Sequence, residues 1–101
     1  MNDQVLLVLL VGPALEETLV DWLLLQQGLS GFTTAAASGH GSAQETLTLA
    51  EQVTGRSRRV MFHLHLDKAQ AQSMLDQLRQ EFSGAGLHYW MVPLLAAGHL
   101  D

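Results

Sequence analysis

The chain has 101 residues, 48% of them hydrophobic and 15% charged, with a net charge of −5 and no cysteine. That describes one domain with one core, too acidic for a general nucleic-acid binder and without disulfides, thiolate metal sites or a cysteine nucleophile. So apolar a small globule predicts that part of its surface is hidden against copies of itself.

The first element is an apolar, β-branched and leucine-rich run, QVLLVLLV, halted by Gly12-Pro13. It is short for a helix and reads as a strand over residues 4–11. Asp3 precedes it and no Lys or Arg does, against a secretory leader. Its seven apolar residues are too few to span a bilayer. The expected location is therefore the cytoplasm, with no insertion into a membrane. Pro13 suits the first turn of a helix. Over residues 14–27, Leu15, Leu19, Trp22 and Leu23 recur on one helical face. Glu16 and Glu17 in the first turn complement the dipole, and Gly28 offers a stop.

Residues 32–38 form a second predicted strand. Next comes a polar stretch over 39–59, GHGSAQETLTLAEQVTGRSRR, opened by Gly39-His40-Gly41 and closed by Gly55-Arg56-Ser57-Arg58-Arg59. Excursions of this length between strands usually carry function. Three of the chain's five basic residues fall at its end, a local reversal on an acidic protein. Within it, Ser42–Glu45 and Thr48–Glu51 have capping-box spacing, predicting a short helix somewhere in 46–54 with Leu47, Leu49 and Val53 on its apolar edge. That edge either docks a partner or packs on the protein's own assembly.

Residues 59–66 alternate: Val60, Phe62, Leu64 and Leu66 point one way, Arg59, Met61, His63 and His65 the other. Asp67 is placed to cap a helix running to about Phe82, with Ala71, Leu75, Leu78 and Phe82 on its stripe. Gly84-Ala85-Gly86 breaks it, and residues 87–95 make a last strand, which Pro93 marks as an edge or its end. Residues 96–101 are a tail. The order βαββαβ is the α+β, ferredoxin-like arrangement, a four-stranded antiparallel sheet with two helices on one face. The first strand is apolar on both faces, so subunits are expected to bury the face that the helices leave bare.

Several stretches resemble a known family. They are PALEETLVDWLL in the first helix, GFTTAAASGHGS entering the long excursion, LAEQVTGRSRRV leaving it and GAGLHYWMVPLLAAG at the end. The chain resembles the PII-like superfamily of trimeric signalling proteins, within the branch catalogued as domain of unknown function 3240. The resemblance implies a homotrimer, a non-enzymatic signalling role, and a T-loop at 39–59 that docks on a protein partner, a transporter or a regulator. It implies effector clefts between subunits, near the T-loop base and the turn at residues 83–88. Relatives that hold ATP use a longer glycine-rich turn with a lysine, and basic residues after the last strand. Here the turn is SGAGLH and the tail has no basic residue, so a nucleotide effector would lack its usual basic partners. The branch's genes lie beside cobalt–zinc–cadmium efflux systems, which links it to heavy-metal efflux and metal tolerance.

Two ligand classes compete. A divalent metal (zinc, copper or cobalt) could be held by His40, His63 and His65. Strand alternation puts His63 and His65 on one face about 7 Å apart, where neighbouring subunits could complete a shell. The plainer reading is polar residues at an interface or facing solvent. An anionic effector could be held by Arg56, Arg58 and Arg59 with Gly39 and Gly41, since guanidinium groups bind phosphate and carboxylate bidentately. The plainer reading is charge balance with Glu45 or Glu51. Trp22, Tyr89 and Trp90 are read as core or interface packing. Nucleophilic triads and the phosphate-binding loop motif are missing, as are the basic loop of acylphosphatases and the strand aromatics of RNA-recognition domains. The alternative outside sensing is a ligand-independent structural or accessory subunit of a membrane transporter.

Overall fold

A computed structural model of the protein describes residues 3–40 and 56–101. Strand β1 (Gln4–Val11) passes through a 3-10 turn (Pro13–Leu15) into helix α1 (Glu16–Leu24). Strands β2 (Thr33–His40) and β3 (Arg56–Asp67), helix α2 (Lys68–Glu81) and strand β4 (His88–Pro93) follow. The four strands pair antiparallel in the order β2-β3-β1-β4, leaving β2 and β4 at the edges. This is the ferredoxin-like arrangement expected from the element order.

The β1–β3 register runs unbroken from Gln4↔Asp67 to Val11↔Val60. Alternation therefore places Val5, Leu7, Leu9 and Val11 on one face with Val60, Phe62, Leu64 and Leu66. Both helices close over that face. Leu19 and Leu23 of α1 and Ala71, Met74, Leu75 and Leu78 of α2 complete the core. Each such side chain contributes ~1.5–3 kcal/mol of apolar burial, apart from the smaller Ala71. Trp22 extends the core outward. Its Nε1 donates to Glu81 Oε2, and its ring meets Phe82 edge-on at 6.0 Å and 88°. The two helices are thereby tied together at one end.

The opposite face carries Leu6, Val8 and Leu10 of β1, Met61, His63 and His65 of β3, and Trp90 and Val92 of β4. No described helix lies over it. Trp90 is 43% and Val92 41% exposed.

Three details differ from the sequence reading. Asp67 has the extended N-cap conformation (φ −64°, ψ 145°) but makes no side-chain cap. Its carboxylate accepts from Gln4 Nε2 instead, and the Lys68 N–H donates to the Asp3 carbonyl at 2.8 Å. A backbone contact across the sheet end has replaced the local cap. Helix α1 stops at Leu24, short of residue 27. The third difference lies beside the long excursion. β2 continues to His40 and β3 begins at Arg56, so Gly39, His40, Arg56 and Arg58 are strand residues rather than loop residues. Gly41, both capping-box patterns and the helix predicted in 46–54 lie outside the described residues. No helix among the described residues is long and apolar enough to cross a membrane.

Candidate functional site at the base of the β2–β3 excursion

Register at the end of the β2–β3 pair builds the site. Ala37 faces Arg59, Ser38 faces Arg58, Gly39 faces Ser57 and His40 faces Arg56. Counting back from the core residues Phe62 and Val60, Arg58 falls on the helix-covered side of the sheet and Arg59 with Ser57 on the bare side. The dense arginine run is thus divided between two faces. Arg58 is exposed, while Arg59 is half-buried and donates from Nη1 to the Arg58 carbonyl at 3.0 Å.

On the sheet side opposite the two described helices three residues converge. A Cβ added to Gly39 would stand 2.8 Å from Ser57 Oγ and 3.4 Å from Arg59 Cγ. Glycine therefore keeps open a space that a larger residue would fill. Ser57 is wholly buried, the one buried polar residue among those described, and its Oγ has no hydrogen-bond partner among them. A buried hydroxyl left unpaired costs ~1–3 kcal/mol, and most buried polar groups are satisfied. The niche thus holds a hydroxyl with no partner among the described residues beside the aliphatic stem of Arg59, whose guanidinium donates to the neighbouring Arg58 carbonyl.

The histidines are not gathered in the same way. His40 is exposed, and its register partner Arg56 lies ~23 Å along β3 from His63 at the usual rise per residue. Alternation also sets His40 on the face opposite His63 and His65. One chain therefore does not bring His40 to the other two. His63 is half-buried opposite Val8, and His65 is exposed opposite Leu6. Among the described residues no group of three His, Cys, Asp or Glu side chains is placed to hold a metal ion. His88 shares the bare face opposite Leu10, and His99 is exposed in the tail.

Ser57 was not singled out by the sequence. A serine between arginines reads as ordinary loop polarity. The signal available was the period-2 alternation of β3, which, continued back past Arg59, places Ser57 on the same side as Arg59.

A family model described as "Protein of unknown function (DUF3240)" matches residues 1–101. The chain belongs to the DUF3240 family. Among solved structures it is similar to a DUF3240 family protein from Shewanella baltica, with 24% identity, full coverage of both chains and a TM-score of 0.81. It is also similar to a protein from Thermus thermophilus assigned to the PII-like signalling proteins (16% identity, 90% of this chain and 85% of that one, TM-score 0.65). A third structure is the Bacillus subtilis GlnK–ATP complex (15% identity, 93% of this chain and 84% of that one, TM-score 0.64). No curated protein matches the chain. The DUF3240 chain thus has a PII-like fold, as its element order and motifs predicted.

Proposed function

We propose that this DUF3240 chain is a non-enzymatic, PII-like regulator of the cytoplasm that reads an anionic effector at the base of the β2–β3 excursion. The observation that carries this reading is the buried Ser57 hydroxyl, without a partner among the described residues, packed against Gly39 next to the stem of Arg59. The Ser57 hydroxyl would donate to one oxygen of such a group, and the Arg59 guanidinium, turned from the Arg58 carbonyl that it now contacts, would bind another. Effector and partner are linked because the same strand ends anchor residues 41–55. A bound anion would fix the geometry from which that segment meets a transporter or a regulator, the family context being heavy-metal efflux. The bare sheet face would be buried by two further copies, giving a trimer.

The test uses ATP, AMP and inorganic phosphate as separate probes in calorimetry. Arg59→Ala and Ser57→Ala should each weaken binding of whichever probe binds by about tenfold, the loss of one charge-assisted hydrogen bond. Unchanged affinity in both variants, or no binding of any of the three probes, would overturn the site. A transporter fragment captured equally with and without effector would favour a ligand-independent accessory subunit.

A metal reading retains one supporting observation. His63 and His65 share the face that other copies would cover, so an assembly would bring several such pairs together. Zinc, copper and cobalt titrations of the metal-stripped protein test it. Stoichiometric binding lost in the His63→Ala/His65→Ala variant would support it, and no heat above the buffer control would end it.

A further inference from the structure

A second cavity lies away from the loop base, between α2 and the edge strand β4. It measures about 400 Å3 and is walled by Leu9, Leu78, Phe82 and Leu87, with Arg79 and Tyr89 among its lining residues. A second hollow of about 570 Å3 also includes Arg79 and Tyr89 and reaches Gln72, Asp76 and Met91. The two form one groove divided by the Arg79–Tyr89 pair. Both volumes fall in the range of small-molecule sites.

The groove exists because β4 is short and at the edge. Tyr89 faces the helices opposite Leu9, yet remains 48% exposed because α2 does not reach fully over it. The polar pair is organised. Arg79 Nη2 donates to the Tyr89 hydroxyl at 3.3 Å, and the guanidinium stands 5.8 Å from the ring centroid. Because the phenol oxygen accepts there, its own O–H is left to donate. Arg79 Nη1 contacts Asp76 Oδ1 at 3.0 Å, but both side chains are largely exposed, at 60% and 75%. An exposed pair of this kind contributes only ~0–1 kcal/mol, so a ligand carboxylate can displace it.

We infer that this groove binds a small amphipathic carboxylate, its apolar body among Leu78, Phe82 and Leu87 and its carboxylate on the Arg79 guanidinium and the Tyr89 hydroxyl. The chemistry follows from the lining. Four apolar walls select a hydrocarbon chain or single ring, and two convergent donors on an otherwise acidic chain select one anionic head. The site shares no residue with the Gly39–Ser57–Arg59 niche and is independent of the reading given for it.

Octanoate is the probe, with 1-octanol as the uncharged control. In amide-resolved NMR titration, octanoate should shift the signals of Leu78, Phe82 and Leu87. Arg79→Gln should weaken binding at least tenfold, and Tyr89→Phe by a smaller factor. Octanol affinity should be the same in both variants as in the parent, and Ser57→Ala should leave octanoate binding unchanged. Arg79 and Tyr89 are both exposed, so the variants keep the fold, which thermal melting verifies. Absence of saturable shifts, shifts confined to the bare face around Trp90, or undiminished octanoate binding in Arg79→Gln would overturn the inference.

Discussion

Ser57 sets stability against binding in a single side chain. Replacing it by alanine removes a buried hydroxyl with no partner among the described residues and leaves the strand intact. Ser57→Ala should therefore raise stability, by up to about 1 kcal/mol, read as a higher midpoint in urea or heat. The same change should weaken effector binding at the niche, a trade often met where a site stores an unsatisfied group. Gly39 gives the complementary prediction. Gly39→Ala places a methyl 2.8 Å from Ser57 Oγ and should cost ~1–3 kcal/mol. In the Ser57→Ala background most of that cost should vanish, since the clashing atom is gone. A double-mutant cycle by denaturant unfolding checks this, and additive costs would show that the two residues do not share the space.

The elements were the most legible part of the chain. β1 was read with its observed bounds, because a run of Val and Leu stopped by Gly12-Pro13 has few other interpretations. The two faces of β3 followed from alternation alone. Helix α2 was recognised from its stripe, although Asp67 turned out to use its carboxylate on Gln4. The errors cluster where composition and backbone pairing disagree. Gly39, His40 and Arg56 look like loop residues in sequence, and only the β2–β3 ladder reveals them as strand. Long-range pairing overrides local propensity there. The separation of His40 from His63 and His65 has the same origin: strand register, which assigns faces and distances, cannot be read from residue type. The Arg79–Tyr89 groove was invisible for another reason, depending on where a helix ends over an edge strand. Glycine behaviour tests the turn geometry. Gly84 and Gly86 both have φ of +77°, whereas Gly12 has φ of −71°, and none would bring a Cβ against a neighbour. Gly84→Ala and Gly86→Ala should each cost about 1 kcal/mol, while Gly12→Ala should be neutral or slightly stabilising. Thermal melting of the three variants separates conformational strain from crowding.

For the whole molecule, the decisive asymmetry is that one sheet face is covered by two helices and the other by none of the described elements. Val8 is only 1% exposed within a single chain, yet Trp90 and Val92 beside it remain open. If copies bury this face, Trp90→Glu with Val92→Glu should convert a trimer to a folded monomer, because both residues are already exposed in one chain. Solution mass measurement decides it, and an unchanged mass would place the contact elsewhere. The ladder that ends at His40↔Arg56 has its own consequence. Paired residues stand about 5 Å apart across an antiparallel pair. The segment they bracket therefore leaves and re-enters the fold through a single gate whose closure the sheet has already secured. Lengthening a connection between two residues so paired is inexpensive, since doubling a loop adds only about 0.6 kcal/mol of closure entropy. The β2–β3 pair is in this sense a socket: foreign sequence, even a reporter domain, grafted between His40 and Arg56 should leave the register of the sheet unchanged.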